Sequence, residues 1–346
     1  MHHPELPSTD IARRRALRLA IVTLVLMASQ WAHAQTAAPI LIEFSHVVKS
    51  DTPKGKAAQR FKELAESRTA GRVHVEIHAD SQLYKDREEI DALRRGAVQM
   101  LAPSLSKLAG VSGGDMEVFD LPFLFKDRAA FRAVTQGPVG TAMLRKLEKS
   151  GLLGLAYWEN GFKVFTANRE LRDPADARGL RFRVQASRVL VAQMKALDAS
   201  SSVSPLINVR EALRTGELDG QENTPSNIYT QRLHEAQTNL TVTNHGYLGY
   251  AVIVNQRFWL SLPAGVRATL EGAMRDATIY GNQIAEAENT EALRRIAASG
   301  RVAVLTLSAQ GLARWREAME PTYRATSGWI DAETLAAVRQ AAGPPP

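Results

Sequence analysis

The sequence contains no cysteine, which excludes disulfide staples and thiol chemistry. With 346 residues, 45% of them hydrophobic, the chain is long enough for two domains whose cores need no such staples. No stretch reaches the roughly 18 uninterrupted apolar residues of a membrane span. There is also no dinucleotide G-x-G-x-x-G turn, no P-loop and no H-E-x-x-H pair, and no serine nucleophile elbow is expected. These absences weigh against an enzyme, and no catalytic residue, metal or cofactor is assigned.

What is present begins with an export signature. Arg13, Arg14, Arg15 and Arg18 precede an apolar run from Leu19 to Met27, and Ala32-His33-Ala34 follows. This reads as a signal peptide over residues 1–34, cut before Gln35, with the general and the twin-arginine routes both open. The periplasm is the expected location. Of the net charge of +7, four arginines less Glu5 and Asp10 belong to this segment, leaving +5 for the rest. The remaining basic residues are interspersed with acids, so nucleic acid is not an expected partner; a small anion suits the excess better.

The periodicity predicts an α/β protein. A β-rich run over Ile40 to Val47 feeds a helix over Pro53 to Arg68. Arg72 to His78 alternates, with Val73, Val75 and Ile77 on one face and His74, Glu76 and His78 on the other. That polar face reads as the solvated side of an edge strand rather than as a two-His, one-carboxylate metal site. A second α/β set starts near Phe162, with strands expected at Phe162 to Ala167, Leu180 to Gln185 and Gly216 to Asp219. A β-rich run over Gly246 to Asn255 returns the chain. One long helix is expected over residues 263–298, with a break at Gly281 as the alternative. The expected organisation is domain I over 35–161 and 250–288 and domain II over 162–249 and 289–340, with a ligand cleft between them.

The informative strand is Leu180-Arg181-Phe182-Arg183-Val184-Gln185, whose period of two puts Arg181, Arg183 and Gln185 on one face. Such a row is either solvated or aims a guanidinium into the cleft, where its planar fork matches a carboxylate. Lys163 is a candidate second cation near the hinge, and Tyr247 and Trp158 are candidate aromatic linings.

The segments FSHVVKSDTPKGKAAQRFKELAESRTAGRV, SQLYKDREEIDALRRGAVQMLAPS, FDLPFLFKD, AYWENGFKVF, DGQENTPSN and HGYLGYAVIVN resemble the substrate-binding subunits of tripartite ATP-independent periplasmic (TRAP) transporters, in particular their C4-dicarboxylate-binding branch. The resemblance implies a two-domain periplasmic solute-binding fold, type II-like, with hinge strands and one long helix spanning both domains. It implies closure around a small organic acid such as malate, succinate or fumarate, and delivery to the large and small membrane subunits of a TRAP permease. It carries the ligand-binding arginine onto Arg183, a second basic residue onto Lys163, and an asparagine onto Asn223. Ser104, His46 within the Ser45 to Asp51 segment, and Asp86 fall where the first domain meets ligand. Where the pattern has an aromatic residue against the ligand, this chain has Leu206, followed by Ile207-Asn208-Val209-Arg210, which leaves a keto, sugar or aromatic acid open as the ligand.

Overall fold

The computed structural model describes residues 38–345. The expected signal peptide lies outside the described residues. Among those described, no helix is long and apolar enough to cross a membrane.

Two sheets organise the molecule. The first runs β2-β1-β3-β10-β4, where β1 is Ile40–Ser45, β2 Val73–His78, β3 Met100–Leu101, β4 Leu152–Phe162 and β10 Tyr247–Asn255. The second runs β11-β9-β5-β8-β6-β7, where β5 is Val164–Ala167, β6 Arg181–Val184, β7 Ser200–Val203, β8 Gly220–Asn223, β9 Asn239–Val242 and β11 Ala303–Thr306. Each sheet carries helices and forms the frame of one lobe. Edge and centre differ as their patterns require. Strand β2 buries Val73 and Val75 while His74 and Glu76 stay exposed, whereas β10, between two neighbours, is buried at every position and shows no alternation.

The chain crosses between the lobes twice within the sheets. Strand β4 runs directly into β5 through Lys163, and β9 reaches β10 through Thr243 to Gly246. The crossings touch: the Lys163 amide donates to the Gly246 carbonyl at 2.8 Å.

A third link is the helix Ala264–Ala298, which at 1.5 Å per residue is roughly 50 Å long. It is unbroken at Gly281. A methyl group there would stand 2.7 Å from the Ala57 side chain, so the glycine serves the close approach of the helix Pro53–Arg68 rather than a break. Asn282 and Asn289 tie the long helix to β4. Asn282 Oδ1 accepts from the Glu159 amide at 2.8 Å, and Asn289 Nδ2 donates to the Asn160 carbonyl at 2.9 Å. Asn289 Oδ1 also accepts from the Ser226 amide of the second lobe at 2.9 Å.

One expected strand is displaced. The stretch Gly216 to Asp219 is a turn, entered with Gly216 at φ +74°, the left-handed conformation that ends a helix. The strand is the following Gly220-Gln221-Glu222-Asn223, paired with β5 through Val164↔Asn223 and Phe165↔Glu222. Burial between β5 and β6 makes this polar segment a strand.

The first lobe's core is aromatic, with Phe119, Phe125, Phe131 and Tyr247 in mutual contact. The second lobe packs Phe165, Phe182, Met194 and Trp315 on one side of its sheet. Val209, Leu213, Leu240 and Ile296 form a further cluster.

Candidate functional site

A cavity lies where the C-terminal ends of β3, β6 and β8 meet. Arg183, Gln185, Leu206, Asn223 and Asn227 line it from the second lobe. Val47, Lys54, Asp86, Ser104, Lys107 and Tyr250 line it from the first.

The register of β6 decides what enters. Arg181, at the exposed start of the strand, is spent on Asp219, with Nε 2.9 Å from its carboxylate. Two residues on, Arg183 is on the same face but beneath the opposite lobe, and its side chain is 2% exposed. Its Nε donates to the Ser204 carbonyl at 3.0 Å, which fixes the plane of the guanidinium. Nη2 lies 3.9 Å from Asp86, and the terminal nitrogens make no protein hydrogen bond among the described residues. Burial draws the Arg183 pKa below its ordinary value, against the pull of Asp86 and Glu222.

Asn223, the last residue of β8, has its carbonyl oxygen committed. Oδ1 accepts from the Thr224 amide at 2.9 Å and from Asn227 Nδ2 at 2.9 Å. The amide nitrogen is therefore the end left to donate. Asn227 reaches Tyr250 Oη at 3.3 Å, and Tyr250 also accepts from Asn160 Nδ2 at 2.8 Å.

The first lobe contributes a buried charge cluster. Lys107 Nζ is 2.8 Å from Asp86 and 2.7 Å from Glu89. Burial works to lower the Lys107 pKa, but these two carboxylates outweigh it and hold it above the ordinary value. For Asp86, burial works upward, and Lys107 and Arg183 outweigh it, so the carboxyl stays well below its usual range. Glu89, wholly buried, is raised by burial despite Lys107. Lys54 is also buried; it donates to the Ala102 carbonyl at 2.9 Å and lies 4.0 Å over the Tyr250 ring.

The two lobes are shut upon each other. The Leu206 amide donates to Asp86 Oδ2 at 2.9 Å, Arg87 Nη2 donates to the Val203 carbonyl at 2.6 Å, and Ser104 bonds Gln185. Arg188 closes on Glu117 at 2.5 Å. In this form the cavity holds about 20 Å³, room for about one water, so a larger guest enters by parting the lobes.

Of the residues expected from the sequence, Arg183, Asn223, Asp86, Ser104 and Leu206 come together here. Four stand elsewhere, Trp158 among them, with its ring against Phe44 and its Nε1 donating to Thr278 Oγ1 at 2.9 Å. Lys163 is 1% exposed and pairs with Glu222 at 2.6 Å, because the β5–β8 pairing sets these two side by side in the interior. Tyr247 turns into the aromatic core and donates to Glu159 at 3.0 Å. The ring of His46 is buried behind Val47 and Val48 with neither nitrogen hydrogen-bonded; burial and the nearby Lys54 lower its pKa to about 3, so it is neutral. Lys54, Lys107, Asn227 and Tyr250 join the lining without a signal of their own in the sequence, although Lys54 lies in the DTPKGK segment and Tyr250 in HGYLGY.

Two sequence features resolve as structure. On β2, His74 sits 3.0 Å from Glu66 instead of joining a triad; Glu76 and His78 converge with Glu43 of β1, within 4.8 Å of one another, as a partly exposed cluster. Gly110-Val111-Ser112-Gly113-Gly114 has the letters G-x-S-x-G but forms a short helix, with Ser112 Oγ accepting from the Met116 amide at 3.3 Å. It is not a strand-to-helix elbow.

Residues 44–327 match the family model of bacterial extracellular solute-binding proteins, family 7. The chain belongs to that family. Among its relatives in family 7 is the C4-dicarboxylate-binding periplasmic protein DctP of Rhodobacter capsulatus, 52% identical over 88% of this chain and 92% of that one. The DctP of Shewanella loihica is 42% identical over 83% of this chain and 85% of that one. A solved family member, a TRAP periplasmic solute-binding protein from Shewanella oneidensis with bound succinate, superposes with a TM-score of 0.86 at 41% identity, covering 88% of this chain and 100% of that one. Another from Pseudomonas aeruginosa, with bound L-malate, gives a TM-score of 0.81 at 42% identity over 83% and 100%.

Proposed function

We propose that this chain is the periplasmic receptor of a TRAP transporter, which captures a C4-dicarboxylate and delivers it to the membrane permease. The observation that carries the reading is the Arg183 guanidinium, buried between two lobes with its terminal nitrogens uncommitted, beside the donor end of Asn223. A buried fork of this kind asks for a carboxylate. The naming of the relatives as C4-dicarboxylate-binding proteins, and the succinate and malate in the solved family members, support four carbons and two carboxylates.

The mechanism is capture by closure. In the open form the acid meets Arg183 and Asn223 on one lobe; shutting brings the Lys54, Ser104 and Tyr250 wall against it. Contacts from both lobes exist together only in the shut form, so the ligand shifts the population toward it. The work asked of the site is binding and release, and no bond of the acid is broken.

A thermal-shift panel of organic acids on the mature protein tests this reading. Succinate, malate or fumarate is expected to stabilise it, since a ligand at 100 times its Kd adds about 2.7 kcal/mol. A panel in which only sugar or aromatic acids raise the melting temperature overturns the C4 assignment.

A further inference from the structure

Within the wall just described, Lys54 is an anomaly. It is a buried cation lining the cavity, and among the described residues no carboxylate comes within ion-pair distance of it. Its contacts are one carbonyl, Ala102 O at 2.9 Å, and the face of the Tyr250 ring at 4.0 Å. Neither balances a full charge in a low-dielectric interior. The acids that could are already engaged: Glu89 and Asp86 both hold Lys107.

We infer that Lys54 is the seat of the acid's second carboxylate and that it gains a proton when that carboxylate arrives, so a dicarboxylate is captured together with a proton. The inference rests on the C4-dicarboxylate reading and adds to it the residue that distinguishes two carboxylates from one, and a pH dependence.

The groups facing Lys54 pull in opposite directions, and the downward pull is the stronger. Burial is the largest influence and Lys107 the next; together they bring its pKa down to about 7, against the weaker pull of Glu89 and Asp86. His46, on the turn after β1, is neutral, and Tyr250 presents a ring face. Lys54, Lys107, Glu89, Asp86, His46 and Tyr250 all belong to the first lobe, so they keep company whether the lobes are open or shut. Near neutral pH the amine is therefore a mixture of charged and uncharged forms. A carboxylate placed beside it raises its pKa and draws in a proton. Glu89, whose pKa burial raises, responds to added negative charge in the same sense and cannot cancel the uptake. The sign follows: the charged form of Lys54 stabilises the complex below pH 7, and affinity falls as pH rises above it, by up to about tenfold per unit.

The test is calorimetric titration of the mature protein with succinate at pH 7.5, in phosphate and in Tris, whose different ionisation heats count the protons exchanged. A net uptake of part of a proton, and of no more than one, is expected per succinate bound. Binding with no uptake, or with release, overturns the inference alone; absence of binding overturns the C4 reading with it. The Lys54→Met variant locates the proton. It is expected to lose at least about 30-fold in succinate affinity and to bind without uptake, and the preference for succinate over butyrate should collapse. Proton uptake that survives in Lys54→Met overturns the assignment. The two-buffer measurement on the unaltered protein decides the linkage even if the variant fails to fold.

Discussion

The molecule buries two clusters of charge, and they behave oppositely. Behind the crossings, Lys163 is closed on Glu222 at 2.6 Å, with His245 3.6 Å from Glu222 and Asp120 4.0 Å from Lys163. In the cavity, Arg183, Lys54, Lys107, Asp86 and Glu89 are buried to a similar depth. The first cluster is balanced by charge within itself and faces no cavity, although Lys163 Nζ and both Glu222 oxygens lack a hydrogen bond of good geometry. Glu222 is drawn upward by burial but held below its usual range by Lys163 and His245. Asp120, farther from the lysine, is pushed up to about 6 by burial even with Lys163 and Ser106 against it. The second cluster keeps donors open: the Arg183 terminal nitrogens, the Asn223 amide and the Lys54 ammonium. Burial of charge thus does not mark a binding site; unspent hydrogen-bonding capacity facing a cavity does.

The largest effect that can break this contrast is at the hinge. Replacing Lys163 with methionine strands Glu222 without its counter-charge, which typically costs about 3 to 5 kcal/mol. The expected outcome is a large loss of stability in urea titration, with succinate affinity of the remaining folded protein close to that of the parent. A variant of unchanged stability that no longer binds succinate would move Lys163 from structure to ligand.

In the cavity the roles reverse. Arg183→Ala is expected to abolish acid binding at any accessible concentration, by removing a charge-assisted pair of about 1.5 to 3 kcal/mol and leaving a carboxylate unpaired on closure. The fold should hold or gain slightly, since burial of the guanidinium is itself unfavourable. The check is equilibrium unfolding beside calorimetric titration: retained affinity refutes the role, and loss of fold refutes the claim that the cavity cation is there for a ligand.

What could be read without coordinates was what local periodicity encodes. The alternation of Arg181, Phe182 and Arg183 puts both arginines on one face, because a strand's faces follow from spacing alone; that Arg183 rather than Arg181 meets the cleft came from the family resemblance. The long helix was legible for the same reason. The contrast between the clusters was not. Lys163 and Glu222 are brought together by the pairing of β5 with β8, and nothing in either neighbourhood announces the partner. Lys54 stands in the first turn of the helix Pro53–Arg68 with no local signal that sets it apart. Its side chain is instead buried against the Ala102 carbonyl and the ring of Tyr250, both far along the chain. The polar letters of Gly220 to Asn223 hid a strand because its neighbours on both sides, not its own composition, make it one.

The finest test concerns Asn223, where the two kinds of duty meet in one side chain. Its oxygen is structural, holding the Thr224 amide and Asn227, while its nitrogen faces the cavity as a donor. Asn223→Ala removes both; Asn223→Asp keeps the acceptor and replaces the donor with negative charge. A neutral hydrogen bond contributes about 0.5 to 1.5 kcal/mol, so the alanine variant is expected to lose roughly two- to tenfold in succinate affinity with a modest loss of stability. The aspartate variant should lose far more, because its carboxylate repels the one it should receive at Arg183. If aspartate binds as well as the parent, the side chain serves the fold through its oxygen alone, and the open donor is not what selects the acid.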